Sequence, residues 1–221
     1  MEESQIINGR LVKAFSCYFN NVPQEMREYQ KKVFEKFGMH INQGLGIGHH
    51  NQFLNSVMKK ESDVYLIFDI DAIPLQPGLF EYMVNQLADD NSIIGNEQAA
   101  NHVDYRQVYA GVVAFGVTKV AYEKLGRPTF VGTAGRCDTG GEFTIAAKKL
   151  GMNVKLIPIL TSLNKKWRCG ENKWFGNGTI YGLETVDPLA TNTKMIYHQF
   201  ETPDVMQQIQ FISRCKHILS K

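Results

Sequence analysis

Apolar residues in the first half of the chain come in short blocks separated by patterns of helical spacing. Apolar-rich stretches predict strands at residues 11–19, 39–45 and 64–68. The last stretch is a continuous apolar run, which is typical of a strand buried on both faces. Between the strands, apolar residues recur three and four positions apart, and Pro23 suits the first turn of the first helix. This βαβαβα order predicts an α/β fold with a mostly parallel central sheet flanked by helices.

The second half has a less regular pattern. Strands are expected at residues 92–95, 108–116, 154–160 and 195–198, and helices at 142–150 and after Thr202-Pro203, the expected N-terminal cap of the final helix. The stretch 163–193 is long, rich in Gly and Asn, and contains both tryptophans. A stretch of that length without predicted elements indicates a binding loop or a lid.

Composition places the chain among ordinary globular domains. It has 221 residues, of which 43% are hydrophobic and 21% are charged, so one sizeable α/β domain is expected and collagen, coiled coil and wholesale disorder are excluded. Lys and Arg total 24 against 22 Asp and Glu. This balance argues against nucleic acid as a partner, because nucleic-acid-binding surfaces usually show a basic excess.

Targeting and redox signals are few. The chain has no apolar run long enough for a transmembrane helix, and its acidic N-terminus lacks the apolar region of a secretory signal. The four cysteines are far apart and form neither a C-x-x-C pair nor a zinc pattern. Together these features predict reduced thiols and a cytoplasmic location, in a microbe or an infected host.

The strongest chemical signal is Asp69-Ile70-Asp71, directly after the buried run 64–68. Ligands of open α/β sheets bind at the carboxyl ends of strands, where this pair lies. Two adjacent carboxylates repel each other unless a divalent cation bridges them to an anion such as a diphosphate. In the alternative interpretation, one aspartate caps the next turn and the other is solvated. In either case, Pro74 is expected to end the strand pairing.

Over residues 11–200 the chain resembles glycosyltransferases of the GT-A type. The matching features are the stretch 64–71 with its D-x-D, the strand 109–116, the segment 138–142 and the late His198. The resemblance is greatest to small soluble enzymes of microbes and large DNA viruses, including the first domain of a chlorovirus enzyme for capsid glycans. It implies a single GT-A-like domain, with a nucleotide-sugar-binding half at about 11–110, an acceptor half at about 111–200 and a C-terminal helix at 202–219.

The resemblance also implies the activity and the metal. The chain would transfer a sugar from a nucleotide-diphosphate donor, expected to be a UDP-sugar, to a glycan or glycoprotein. Asp69, Asp71 and His198 match the metal site, with Asp69 also reaching the ribose, and two oxygen ligands plus an imidazole suit Mn²⁺, or Mg²⁺ as a substitute. A buried structural histidine is the alternative for His198.

Several residues are expected to bind the donor. Ser16, Cys17 and Tyr18 end the first strand, where the resemblance places the nucleobase. His50 and Asn51 begin a helix and would either cap it or point to the donor. The expected donor-binding set is Ser16, Cys17, Tyr18, His50, Asn51, Asp69, Gly111, Lys173 and Trp174. Lys173 and Trp174 lie in the stretch 163–193, whose basic and aromatic residues would grip the diphosphate or close as a lid, or else form a solvated loop.

Two carboxylates are candidates for catalysis. The resemblance places an acceptor-activating base at a helix start, where Asp138 and Glu142 flank two glycines. Thr139 and Glu142 also fit a capping box, in which Glu142 would only bind backbone N–H groups. Asp138, ahead of two glycines that allow close approach of a sugar, is slightly preferred as the base, and Glu142 stays a candidate. Inversion or retention of the anomeric centre stays open.

Other functions fit part of the pattern. A HAD-type phosphatase would use Asp69 as nucleophile, although Ile73 departs from its motif and the D-x-D follows two βα units instead of the opening strand. A non-catalytic nucleotide-sugar-binding module would keep the fold without turnover. The final helix, with Arg214, Lys216 and Lys221 near its apolar residues, suggests weak peripheral membrane contact or a solvated basic face. The chain could also be one module of a longer polypeptide.

Overall fold

The computed structural model describes residues 2–100, 107–133, 136–185 and 191–221. In chain order, its strands are β1 (Gln5–Ile7), β2 (Arg10–Tyr18), β3 (Ile41–Leu45), β4 (Val64–Asp69), β5 (Ala72–Pro74), β6 (Ser92–Ala99), β7 (Val108–Thr118), β8 (Asn153–Ile157), β9 (Ile159–Ser162), β10 (Trp167–Arg168), β11 (Trp174–Phe175), β12 (Thr179–Leu183) and β13 (Thr193–His198). The helices are α1 (Gln24–Lys36), α2 (His50–Val57), α3 (Leu79–Gln86), α4 (Lys119–Lys124), α5 (Gly141–Lys149) and α6 (Val205–Leu219).

A seven-stranded sheet forms the centre of the described structure. Its order is β1-β2-β4-β7-β6-β8, and β3 also pairs with β2. The strands β2, β3, β4, β6 and β8 run in one direction, whereas β1 and β7 run in the other. The predicted α/β fold with a mostly parallel central sheet and flanking helices is therefore confirmed.

Strand β4, in the middle of the sheet, is buried on both faces, as its apolar run predicts. Leu66 and Phe68 belong to one hydrophobic core, and Tyr65 and Ile67 belong to a second core. All four side chains are fully buried. Successive strand residues point to opposite faces, so a strand between two cores must be apolar throughout.

A second sheet sits beside the D-x-D segment. It has four strands in the order β5-β13-β12-β9. β5 begins directly after Asp71 and pairs antiparallel with β13, so that Ala72 lies opposite His198. Pro74 lies within β5, so the expectation that it ends the pairing is wrong. This second sheet joins the D-x-D segment to a strand from late in the chain.

Three local predictions are corrected by the structure. The stretch 163–193 is not one loop: it contains the hairpin β10–β11 and the strand β12, while residues 186–190 lie outside the described part. The expected strand 154–160 is divided at Pro158 into β8 and β9. Helix α6 starts at Val205, and its cap is the Asp204 carboxylate, which accepts from the backbone N–H groups of Met206 and Gln207, in place of Thr202-Pro203.

The cysteines lie in the interior of the protein. All four cysteines are buried and free. Among the described residues, no helix is both long enough and apolar enough to cross a bilayer.

Candidate metal and donor site

Three potential metal ligands meet where the two sheets adjoin. Asp69 ends β4, Asp71 follows two residues later, and His198 ends β13. One carboxylate oxygen of each aspartate and one ring nitrogen of the histidine lie within 4.8 Å of one another. The His198 Nε2 is 2.8 Å from Asp71 Oδ1 and 3.7 Å from Asp69 Oδ2. These three residues could hold a metal ion.

Strand pairing brings His198 to the aspartates. Opposite Ala72, His198 is placed one residue from Asp71 across the β5–β13 pair. The Gln199 N–H then donates to the backbone carbonyl of Asp71 at 3.0 Å. The chain leaves β13 through Phe200 and Glu201, whose φ values of 57° and 56° are unusual for residues other than glycine. Backbone strain of this kind collects at functional sites.

Gln30 holds the turn that carries the aspartates. Its side-chain amide is fully buried and donates to the carbonyls of Asp69, at 2.8 Å, and Ala72, at 3.0 Å. Its own side-chain oxygen accepts from the Gln43 amide at 2.8 Å. Sequence reasoning missed this role, although a signal existed: Gln30 is a polar residue among the buried apolar positions of α1.

Thr202 contacts the second aspartate directly. Its hydroxyl donates to Asp71 Oδ2 at 3.1 Å, so both oxygens of Asp71 have a partner. The Gln208 amide of α6 donates to the carbonyls of Thr202, at 2.7 Å, and Asn21, at 3.2 Å. Helix α6 therefore links the loop after β13 to the loop after β2. Sequence analysis assigned Thr202 to the cap of the final helix and therefore missed this contact.

The two aspartates have opposite pKa shifts. Burial raises the pKa of Asp69, as do the negative charges of Asp71 and Asp138, against the lowering effect of His50 and His198. Burial acts in the same direction on Asp71, but the charge of His198 and the hydrogen bonds from His198 and Thr202 hold its pKa below the ordinary value. Buried like charges are stabilised by a cation. The residues present thus suit a divalent metal.

A cleft of about 190 Å³ opens beside the aspartates. Its lining residues come from four segments of the chain and include Cys17, Phe19, His50, Asp69, Asp71 and Thr202. The His50 Nε2 is 3.8 Å from Asp69 Oδ1. Neither the His49 nor the His50 side chain caps α2, so the capping alternative for this segment is wrong. The imidazole of His50 faces the site.

Solved structures share this architecture. The mannosyltransferase PcManGT from Pyrobaculum calidifontis, solved in complex with GDP-Man and Mn²⁺, matches with a TM-score of 0.51 and 11% sequence identity. The match covers 67% of this chain and 55% of that one. The chain has a GT-A-like fold. It spans only about half the length of that mannosyltransferase, and the identity is low, so the likeness establishes the fold alone.

Other comparisons add little to the GT-A-like assignment. The A197 protein from STIV matches with a TM-score of 0.45 and 12% identity, over 65% of this chain and 79% of that one, which is too low a score to support an argument. A scan against protein-family models found no match, and neither did a search of curated proteins. The resemblance to chlorovirus enzymes stays a prediction.

In this GT-A-like fold, Asp138 and Glu142 have different surroundings. Asp138 lies near enough to Asp69 for its charge to raise the pKa of that residue, and its Oδ1 accepts from the Thr139 N–H at 2.8 Å. Glu142 accepts from the Thr133 hydroxyl at 2.8 Å and lies 3.4 Å from the Arg136 guanidinium. The capping box is wrong, because Gly140, with φ of 83°, is the N-cap of α5 and no side chain caps that helix.

Tyr109 is a buried neighbour of Asp138 that sequence reasoning did not assign. Burial, together with the charge of Asp138, raises the pKa of its hydroxyl. That hydroxyl has no hydrogen-bond partner among the described residues. Gly111 follows two positions later in β7, and a Cβ there would lie 2.3 Å from the Gln98 side-chain oxygen. A larger residue at this position would have to displace the Gln98 side chain.

The residues expected to bind the nucleobase are the last three residues of β2. Ser16 is fully buried, and burial raises the pKa of the Cys17 thiol to about 12. The Tyr18 ring has the Arg27 guanidinium 4.3 Å from its centroid. Cys17 lines the cleft, whereas Asn51 and Ser16 are not among its lining residues. The structure therefore brings Cys17 and His50 to the cleft with the aspartates.

Lys173 and Trp174 belong to the β10–β11 hairpin region. The Lys173 ammonium lies 3.0 Å from Glu97 and 3.7 Å from Glu184. Trp174 is exposed, whereas Trp167 packs against Phe175 and Phe200. Phe200 in turn contacts His198, with ring centroids 3.7 Å apart. One tryptophan is thus free to meet a ligand, and the other supports the loop after the histidine.

Proposed function

We propose that this protein is a metal-dependent glycosyltransferase that moves a sugar from a nucleotide-diphosphate donor, expected to be a UDP-sugar, to a glycan or glycoprotein. The observation that carries the proposal is the Asp69, Asp71 and His198 group at the carboxyl end of β4, beside an open cleft in a GT-A-like fold. Sheets of this class bind ligands at that edge.

Asp69, Asp71 and His198 would hold Mn²⁺ or Mg²⁺. When bound, the cation would neutralise the developing charge of the leaving diphosphate. The chain's own residues keep the ligands in position: Thr202 fixes one oxygen of Asp71, and Gln30 fixes the backbone on either side. Preorganised ligands avoid reorganisation during the reaction.

Donor recognition would involve the residues around the cleft. Cys17 and the backbone at the end of β2, with Ser16 and Tyr18, would receive the nucleobase. His50, 3.8 Å from Asp69, is placed to meet the donor's diphosphate or ribose. Asn51, Gly111, Lys173 and Trp174 complete the proposed donor set, with Trp174 offering an exposed ring to a sugar face.

Asp138 is the proposed base that takes the proton of the acceptor hydroxyl if the reaction inverts the anomeric centre. Its charge acts on Asp69, which places it near the proposed metal site. Glu142 is the second candidate, but its carboxylate is already engaged by Thr133 and Arg136. A positioned base contributes about 10²–10⁴-fold to such a step.

Thermal shift with Mn²⁺ and a panel of UDP- and GDP-sugars tests the donor assignment. A bound donor raises the melting temperature by mass action. Asp71→Ala should abolish the Mn²⁺-dependent shift, while Glu61→Ala, an exposed carboxylate before β4, should retain it. An unchanged shift in Asp71→Ala would refute the metal assignment. Metal-dependent phosphate release through an aspartyl-phosphate at Asp69 would instead identify a phosphatase.

Transfer assays separate catalysis from binding. Asp138→Asn should retain the donor-induced thermal shift and lose sugar transfer. If transfer survives in Asp138→Asn and is lost in Glu142→Gln, the two carboxylates have the reverse roles. A protein that binds the donor with Mn²⁺ but never cleaves any donor with any acceptor would be a non-catalytic binding module.

A further inference from the structure

Helix α6 has two chemically different faces. Gln208, Phe211, Cys215 and Ile218 are buried on the face toward the protein. On other positions of the helix, Val205, Met206 and Ile209 are more than half exposed, at 65%, 59% and 53%. Exposed apolar residues mark an interaction surface when they form a contiguous patch rimmed by polar residues.

Two adjoining cavities lie along α6 from Ile209 to the end of the helix. The first, of about 550 Å³, has the basic residues Lys36, Lys194, Arg214, His217 and Lys221 in its lining. The second, of about 700 Å³, is lined by the apolar Leu163, Ile180 and Ile209 and shares Arg214 and His217 with the first. No acidic side chain is among the described residues that line either cavity.

Two cations of this face contact neutral groups. The Lys36 ammonium donates to the Ile218 carbonyl at 2.8 Å, and the Arg214 guanidinium lies 5.0 Å from the centroid of the Tyr197 ring. The Arg214 Nε has no hydrogen-bond partner among the described residues. By contrast, Lys216, which lies outside these cavities, is 3.2 Å from the Glu25 carboxylate. The positive charge around these cavities is therefore not neutralised by acidic side chains among the described residues that line them.

We propose that this face, defined by Leu163, Lys194, Ile209, Arg214, His217 and Lys221 and called the α6 face below, binds the surface of an anionic lipid bilayer. Basic side chains attract the headgroups, and the neighbouring aliphatic side chains enter the boundary between headgroups and acyl chains. Charge complementarity and the adjoining apolar cavity favour lipid over nucleic acid, whose phosphates would leave Leu163 and Ile209 exposed. The proposal is independent of sugar transfer.

Flotation of the full chain with lipid vesicles tests this proposal. Vesicles of phosphatidylcholine with phosphatidylglycerol should carry several-fold more protein than vesicles of phosphatidylcholine alone. Because salt at about 0.5 M screens charges beyond a few ångströms, binding should fall several-fold from its value at about 0.05 M. Equal binding to both vesicle types, or no binding to either, would overturn the proposal.

Matched variants locate the binding face. Lys194→Glu with Lys221→Glu should reduce binding to anionic vesicles several-fold, because both residues are exposed and line the basic cavity. Lys148→Glu with Lys149→Glu changes the net charge equally but on α5, which packs on the other core, and should have little effect. Equal loss in both pairs would show that only net charge matters and would overturn the assignment.

Two further experiments test the insertion of apolar side chains into the bilayer and nucleic acid as an alternative ligand. Ile209→Ser should weaken vesicle binding while leaving the melting temperature nearly unchanged, since the side chain is 53% exposed. Vesicle binding as strong as that of the unaltered protein would contradict insertion of the apolar part. An oligonucleotide that binds more tightly than anionic vesicles, and loses binding in the Lys194 and Lys221 variant, would assign the α6 face to nucleic acid instead.

Discussion

At the scale of single residues, Gln30 shows how a buried amide shapes a site through the backbone. Gln30→Leu would leave the carbonyls of Asp69 and Ala72 without this donor. A buried acceptor that loses its partner costs about 1–3 kcal/mol. We expect the free energy of unfolding to fall by that amount and Mn²⁺ affinity to fall several-fold, measured by urea denaturation and by titration followed by electron paramagnetic resonance.

The control for Gln30 lies on the same helix. Gln24→Leu removes an exposed glutamine whose amide bonds Glu28 one turn later. Its stability and Mn²⁺ affinity should stay close to those of the unaltered protein. If Gln30→Leu lowers stability but leaves Mn²⁺ affinity unchanged, Gln30 supports the fold without positioning the aspartates.

Thr202 offers a second test of residue-level positioning. Thr202→Val keeps the shape of the side chain and removes the hydroxyl that donates to Asp71 Oδ2. Hydrogen bonds to metal ligands are commonly worth about 10–100-fold in metal affinity. We therefore expect at least the lower value by Mn²⁺ titration, and recovery in Thr202→Ser. Full affinity in the valine variant would show that the Thr202 hydroxyl does not position Asp71 for the metal.

The residues predictable from sequence are those with a local signal. Asp69 and Asp71 stand two positions apart after an apolar strand, so their meeting needs no tertiary information. His198 was reached only through the family resemblance. Gln30 and Thr202 act through contacts across 39 and 131 residues. Such contacts depend on how α1 and the loop after β13 pack, which a pattern along the chain does not contain.

At the scale of elements, the two tryptophans of the hairpin β10–β11 have contrasting surroundings. Trp167 in β10 packs on Phe200, which contacts His198, whereas Trp174 in β11 is exposed. Trp167→Ala should cost roughly 2 kcal/mol of stability, about half the usual loss for a fully buried tryptophan, and should weaken Mn²⁺ binding. Trp174→Ala should change neither quantity much but lower donor affinity. Chemical denaturation and metal titration measure the difference.

The outcome for Trp167 also tests whether the hairpin supports the site. A loss of stability without a change in Mn²⁺ affinity would show that Phe200 keeps His198 in place unaided. A loss of Mn²⁺ affinity in Trp174→Ala as large as in Trp167→Ala would show that the hairpin acts as a whole.

Elements of the first half were more predictable than those of the second. β4 and the helices before it have uninterrupted apolar patterns, and each occupies nearly the expected residues. The hairpin β10–β11 has strands of only two residues, and β12 is a strand because it lies between β9 and β13. These elements are strands because they pair with other segments, and their own sequences carry no strand pattern. The stretch therefore resembles a loop rich in Gly and Asn.

At the scale of the whole molecule, burial protects the cysteines. All four are buried, and burial raises their thiol pKa values, to about 12 for Cys17 and Cys169. Only the thiolate reacts with disulfide reagents, so at pH 8 the native protein should react slowly. With denaturant, four thiols per chain should react rapidly, measured by absorbance with Ellman's reagent. Rapid reaction of one thiol in the native protein would show that its pocket opens.

The mostly parallel arrangement of the central sheet was predictable because it follows from the alternation of strands and helices along the chain. Two strands, β1 and β7, run against the others. β1 returns to β2 through the turn at Asn8 and Gly9, both with positive φ. β7 enters between β4 and β6, and nothing in its apolar run distinguishes an antiparallel strand from a parallel one.

Because β5 pairs with β13, the proposed metal ligands are synthesised at different times. Asp71 and His198 are 127 residues apart. At about 5–20 residues per second, the ribosome makes the histidine roughly 6–25 s after the aspartate. A nascent chain holds both carboxylates long before it holds the imidazole. Full occupation by the proposed cation must therefore wait for the synthesis of β13, by which time the central sheet has had time to form.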